Sequence, residues 1–365
     1  MRHGCIRQRD FADCFKQHSV FNAKKFDRLE SKKDSIVLLK EVDSCEVLVL
    51  LDNVSDLLSS LPERVTGEVS NIVRAGASQL TGRCLCCAQW GLSLVIKTTL
   101  NGKTHTVLFD SGPEGYAIKR NGERLGLRFG DIDAAVFSHG HWDHVGGMLT
   151  AIQLITDANG DRKIPVHVND GMFVPRAVHK PGADGELLPF DEVPSKEQLS
   201  AAGAEIVSSD DARTLLDGHF HLSGEIPRRT SYENGLPGHF AQTNDGAWLP
   251  DPLIKDERWM AVNVAGLGAI VFTACSHAGV VNVLHRAQEE LAPIPLWGVM
   301  GGFHLSGSAS ETLIPQTISD LGQFNLKRFV PGHCTGWRAT HRLVEAFGEE
   351  KVVPSAVGQR HLFQA

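Results

Sequence analysis

The sequence predicts an α/β chain in which mixed β-sheets carry helices on their outer faces. Three patterns point there. The earlier part is rich in hairpin signals, above all two apolar runs, GLSLVIKTTL and KTHTVLF, separated by Asn101-Gly102. The later part alternates strand-like apolar runs with helical stripes. Residues 280–291, VVNVLHRAQEEL, put apolar side chains at 280, 283, 284, 287 and 291, one face of a helix.

Taken in order, residues 1–44 are polar, charged and irregular and are expected to form an N-terminal extension, with 45–365 as the domain. Residues 46–51 read as a buried strand, with a loop from Asn53. Residues 61–83 read as loop, with Pro62 and three glycines. After the Asn101-Gly102 hairpin, IDAAVF (132–137) reads as a strand, GGMLTAIQLI as a helix and KIPVHVN as a strand. Residues 171–200, rich in Pro, Gly and charge, predict long loops. FHLSGEIPR begins as a strand and breaks at Gly224. MAVNVAGLGAIVFTACSH is a hairpin through Gly266 and Gly268. IPLWGVMGGFH (strand), ETLIPQTISDLGQF (helix), KRFVPGHCTG (strand into loop) and ATHRLVEAF (helix) complete the alternation.

Composition narrows the class. The 365 residues are 42% hydrophobic and 22% charged, enough to build a large core without disulfide staples. A net charge of −7 leaves no electrostatic footprint for nucleic acid, and no apolar run approaches the ~20 residues of a membrane span. The N-terminus lacks the unbroken apolar core of a secretory signal. Eight cysteines are sparse for this length and give no disulfide framework, so a reducing cytoplasm is expected. Cys84, Cys86 and Cys87 have no second ligand pair in register and are expected to be free thiols.

The chemistry concentrates at strand ends. His139, His141, Asp143 and His144 lie within six positions after IDAAVF. His277 follows AIVFTAC, His304 follows PLWGVMGGF and His333 follows KRFVPG. In open α/β sheets ligands bind beyond the carboxyl ends of strands, so these four ends converge on one edge. In an extended segment residues i and i+2 point the same way, so His139 and His141 can grip one ion while Asp143 and His144 reach a neighbouring point. Imidazole and carboxylate suit zinc, and also iron or manganese. Two such ions ~3.5–4 Å apart would hold a hydroxide between them.

HGHWDH matches the H-x-H-x-D-H pattern and resembles the metallo-β-lactamase superfamily. LVLLDN, GLSLVIKT, VLFDSG, SGEIPR, TACSHAGVVN, GGFHL and PGHCTG, in this order, more narrowly resemble the branch that includes the dihydropterin–ribofuranosylaminobenzene phosphate synthase of methanopterin biosynthesis. The resemblance implies a four-layer αββα sandwich with a dinuclear site at one edge; the two long irregular regions, around 61–90 and 171–260, are expected to supply cap insertions. By motif matching it implies His139 and His141 on the first metal, Asp143 and His144 on the second, His277 and His333 as further ligands, and Asp110 as a buried carboxylate orienting a ligand histidine.

Other positions stay open. Cys275 stands where many members carry a bridging aspartate, and is either a thiolate ligand or a small buried residue. His304 is a ligand, a general acid or a hydrogen-bonded strand-end residue; it and Asp143 are the candidate catalytic residues. Glu225 and Arg228 fall where relatives have another ligand histidine, and either meet metal or substrate or pair to shape a loop. His219 and His221 share a strand face. Gln89 and Trp90 replace a Glu-His pair common in the branch, which argues against the pterin condensation and leaves Trp90 as an apolar or stacking wall. Trp90, Phe173, Trp248 and Trp259 are candidates to line the cap.

The function expected is a metal-dependent hydrolase acting through a metal-bridging hydroxide on a small ester, lactone, lactam or phosphate ester. Arg228 and Arg338 in motif loops favour an anionic substrate. The alternatives are a pterin-type synthase, or a catalytically quiet metal- or ligand-binding member. Neither nucleic acid nor membrane is expected as a partner.

Overall fold

A computed structural model describes residues 39–183 and 185–365. Two sheets pack face to face. One runs Ala204–Ser208, Ile164–Val168, Ala134–Val136, Lys103–Phe109, Ser93–Leu100, Ser44–Leu51, Arg360–Phe363, Val65–Thr66. The other runs Arg213–Leu215, Phe220–Leu222, Met260–Val264, Gly268–Thr273, Leu296–Gly302, Arg328–Gly332, with Glu41–Val42 parallel beside Met260–Val264.

Strand periodicity builds the layers. On the first sheet Val47, Val49, Leu94, Ile96, Val107 and Phe109 face the seam between sheets, where they meet Met260, Val262, Ile270 and Phe272. Their neighbours Leu48, Leu50, Val95 and Leu108 point the other way, onto helix Met148–Ala158 through Ile152 and Ile155. On the second sheet Ala261, Val271 and Val299 pack outward against Val280, Val283 and Leu284 of helix Val280–Glu290. Each fully buried aliphatic contributes about 1.5–3 kcal/mol, so alternation in both sheets stabilises helix–sheet–sheet–helix layering. The expected four-layer sandwich is the observed one.

The Asn101-Gly102 turn has positive φ at both residues (51° and 77°), the primed geometry whose twist matches the strands it joins. Several expectations need correction. Of the proposed extension 1–44, residues 1–38 lie outside the described residues, but Glu41–Val42 already pairs with Asn263–Val264. Residues 61–83 hold a strand, Val65–Thr66, and a helix, Glu68–Arg74. The loops expected over 171–200 contain strands Arg176–His179 and Leu187–Pro189 and helix Lys196–Ala201. Those strands join His239–Gln242 and Trp248–Pro250 in a third, four-stranded sheet. The C-terminal strand Arg360–Phe363 was not expected; it pairs with Ser44–Leu51 across the length of the chain.

Candidate metal centre

Parallel strands end at the same edge of the sandwich. Ala134–Val136 leads into His139, Gly268–Thr273 into Cys275 and His277, Leu296–Gly302 into His304, and Arg328–Gly332 into His333. The backbone departs from the ordinary regions here: Asp110, Ser276, His304 and His333 all have positive φ, between 46° and 60°. Such conformations in non-glycine residues cost about 1–3 kcal/mol each and persist where the surroundings over-determine them. His141 is extended (φ −100°, ψ 143°), while Asp143 and His144 sit in the helical turn Trp142–Val145 that starts beside it. The two ligand pairs therefore diverge through a change of backbone conformation, not along one extended loop.

The side chains form two buried donor groups. His139, His141 and His277 make one; Asp143, His144, Cys275 and His333 make the other, with donor atoms in each group within 4.8 Å of one another. Cys275 also groups with His277 and His304, which places its sulfur between the two. It lies 3.2 Å from His144 Nε2, 3.3 Å from His333 Nε2 and 3.4 Å from Cys334 Sγ.

His139 Nε2 and both ring nitrogens of His277 are buried with no hydrogen-bond partner among the described residues. Orphaned buried polar atoms cost about 1–3 kcal/mol each unless something satisfies them. Burial, followed by the neighbouring cations and imidazoles, holds His139, His141 and His277 well below the usual histidine range, so each keeps a free lone pair. Burial also opposes the charged form of His144, but Asp143 and Asp110 outweigh it and raise His144 to about 9. The donor set fits divalent cations.

A rigid frame holds these groups. Asp110, fully buried, accepts hydrogen bonds from Ser138 N (2.8 Å) and Ser138 Oγ (2.7 Å), and its Oδ2 lies 2.8 Å from His144 Nδ1. A His144 proton at Nδ1 leaves Nε2 facing the site, the orienting role the resemblance implies. Glu257 accepts from the backbone N–H of His277 and Ala278, both at 2.7 Å. Asp52 accepts from His333 N at 3.1 Å. Asp256 accepts from Gly140 N (2.8 Å) and pairs with buried Arg176 (2.6 Å). Two glycines leave room: a Cβ at Gly140 would lie 2.2 Å from Met172 O, and one at Gly302 would lie 2.6 Å from Cys334 Sγ.

Sequence reasoning missed His239. Its Nδ1 lies 2.7 Å from the Asp251 carbonyl and so carries the proton, which leaves Nε2 as an acceptor 3.0 Å from His141 Nε2. It stands on the third sheet, with Phe190 packed edge-on to His141 at 5.4 Å, so that sheet covers the centre. The available signal was a repeat of Pro-Gly-His at 237–239 and 331–333.

Other candidates lie elsewhere. Glu225 is exposed and pairs with Lys255 at 3.7 Å, and Arg228 is spent on the carbonyls of Ile226 and Leu253, so both shape a loop. His219 bonds Thr98 and His221 bonds Glu290, away from the donor groups. Trp259 is fully buried in the outer core, and Arg338 pairs with Glu311. Phe173 packs at the rim of the other outer core and Trp248 lies half-buried in the third sheet. Cys84, Cys86 and Cys87 are unbridged, with Cys86 N held by Glu68. Trp90, in contrast, is 45% exposed with its ring 5.2 Å from that of His333, at the mouth of the centre. His304 stands 4.3 Å ring to ring from His277, its Nδ1 buried and unpartnered among the described residues.

The Lactamase_B profile, described as the metallo-β-lactamase superfamily, matches residues 91–239. An uncharacterized protein of Methanocaldococcus jannaschii is 30% identical over 258 residues, covering 70% of this chain and 88% of the relative. The chain belongs to the metallo-β-lactamase superfamily. Another relative is the 7,8-dihydropterin-6-methyl-4-(beta-D-ribofuranosyl)-aminobenzene-5'-phosphate synthase of the same organism, 28% identical over 72% of this chain and 86% of that protein. Among solved structures, a metal-dependent hydrolase of the β-lactamase superfamily aligns with a TM-score of 0.64 at 20% identity, over 88% of this chain and all of that one. No helix among the described residues is long and apolar enough to cross a membrane.

Proposed function

We propose that the chain is a dinuclear metal-dependent hydrolase acting on a small anionic ester, lactone, lactam or phosphate ester. One observation carries the reading: two adjacent buried donor groups, drawn from separate strand ends, are linked by Cys275, which belongs to the second group and also groups with His277 of the first, and they contain nitrogens with no hydrogen-bond partner among the described residues. His139, His141 and His277 would hold one ion, and Asp143, His144 and His333 the other. A donor set of imidazoles, thiol and carboxylate favours zinc, with iron or manganese as alternatives. When bound, such ions activate water as a nucleophile and draw charge from the scissile group.

The chain's own residues do the rest. Asp110 and Ser138 keep the His144 Nδ1 proton away from the site. Asp143 orients the second ion's side of the centre. His304, at the mouth, passes a proton to the leaving group. Its imidazolium is disfavoured by burial, but Cys334 and the buried acids beside it raise its affinity for a proton above the ordinary histidine value. Trp90 walls the entrance. The third sheet and residues 61–90 form the cap that keeps bulk water from the substrate.

Metal analysis together with a panel of esters, lactones, lactams and phosphate esters, on wild type and His141→Ala, tests this reading. Loss of metal and hydrolysis together in the variant is expected; hydrolysis that survives places the activity elsewhere. A second reading, condensation of a pterin with a ribosyl phosphate donor, is favoured by the 28% identity to the synthase. Gln89 bonding Glu114 and Trp90 over His333 leave no acid-histidine pair at that place, which favours hydrolysis. Product formed from those donors would reverse the preference. Bound metal without turnover of any substrate would instead support a metal- or ligand-binding member.

A further inference from the structure

At the opposite end of the same strands lies a cavity of about 300 Å³. It opens where the edges of the two sheets part, between strand Arg360–Phe363 and the first residues of Leu296–Gly302 and Arg328–Gly332. Trp297, Leu267 and Phe363 supply apolar walls, with Trp297 and Phe363 edge to face at 5.8 Å. Arg328 stands at the start of its strand, and His333 follows that strand's last residue. Five residues at about 3.3 Å each separate this cavity from the metal centre by ~16 Å.

The polar lining is unbalanced. Arg328 Nη1 is buried, and among the described residues it has no hydrogen-bond partner and no carboxylate pairs with its guanidinium. Burial alone lowers its proton affinity, with no acid offsetting the effect. His361, 1% exposed, lies beside it and is held neutral by burial and by Arg328. Arg64 and Glu63 stand at the exposed rim. A half-buried guanidinium left unpaired is costly for stability alone, whereas arginine beside an aromatic wall is the usual means of holding a planar anion.

We propose that this cavity is a second ligand site, separate from the metal centre, that takes a small flat molecule carrying one carboxylate or phosphate. The anionic group sits on Arg328 and the ring lies among Trp297, Leu267 and Phe363. A cavity of this size accommodates one or two fused rings with their charged group.

Calorimetric titration of the metal-loaded full chain with benzoate, phenyl phosphate and neutral benzamide tests the proposal, and the two anions distinguish the head groups. At least one anion should bind about tenfold or more tightly than benzamide, the worth of a charged hydrogen bond. Arg328→Gln should remove that preference. Leu267→Trp, which fills the cavity, should abolish binding with metal content unchanged, and it serves where the arginine variant does not fold. His141→Ala should bind the anions like wild type, since the metal centre is not involved. No preference for an anion, wild-type binding by Leu267→Trp, or loss of binding in His141→Ala would each overturn the assignment.

Discussion

Replacing Asp110 by Asn isolates the orienting role of one carboxylate with almost no change of volume. Asp110 is fully buried and holds three hydrogen-bonding groups at 2.7–2.8 Å, one of them His144 Nδ1. An asparagine can still accept from Ser138 N. Its amide N–H₂ then faces Ser138 Oγ and His144 Nδ1, so Nδ1 becomes the acceptor. The His144 proton moves to Nε2, the atom that faces Cys275 at 3.2 Å and the proposed second ion. Loss of such an outer partner costs about 10–100-fold in metal affinity, or ~1.4–2.7 kcal/mol. The metal-free protein also loses a charge-assisted bond to the His144 imidazolium, worth about 1.5–3 kcal/mol of folding stability. Competition against a chelator reads the first quantity and urea unfolding of the metal-free protein the second. Ser138→Ala, which keeps the carboxylate, should fall between wild type and Asp110→Asn. If Asp110→Asn bound metal as tightly as wild type, the tautomer argument would fail.

Three further outcomes are expected. Metal loading near pH 7.5 should release protons, because His144, raised to about 9 without metal, must become neutral to ligate; calorimetric heats independent of the buffer's ionisation enthalpy would contradict this. With cobalt as probe, Cys275→Ser should lose a near-ultraviolet sulfur-to-metal charge-transfer band that Cys45→Ser retains; a spectrum identical to wild type would exclude thiolate ligation. His361 is lowered from 6.5 to about 3 by burial and Arg328, so the unfolded chain binds its proton first. Its contribution is complete above pH 6.5 and is lost as pH falls toward 3, about 5 kcal/mol at most. His361→Phe should flatten the acid limb of stability against pH, and an unchanged limb would refute the assignment.

The centre was legible because its chemistry is local or anchored to strong signals. His139 to His144 are contiguous, and His277, His304 and His333 each follow an apolar run that can only be a buried strand. Asp110 was reached through the VLFDSG motif, and the structure places it where a histidine needs it. His239 was not legible because its position depends on the third sheet. That sheet's strands have three or four residues, are interrupted by proline and glycine, and pair across wide gaps in sequence, Ala177 with Phe240 for example. Periodicity over so few residues cannot be told from loop. Glu225 and Arg228 could not be decided from the sequence for the converse reason, and they take the loop-shaping alternative. Their motif is clear, but the chain breaks after Leu222 and turns both side chains into local contacts. Asp256 and Glu257, which hold the ligand loops by backbone N–H groups, are two acids among many until the fold brings Gly140 and His277 to them.

Anomalous X-ray diffraction from crystals of the metal-loaded chain addresses the two-ion centre most directly. The account predicts two peaks about 3.5–4 Å apart, one among His139, His141 and His277 and the other among Asp143, His144 and His333. A single peak, or peaks remote from these side chains, would contradict it.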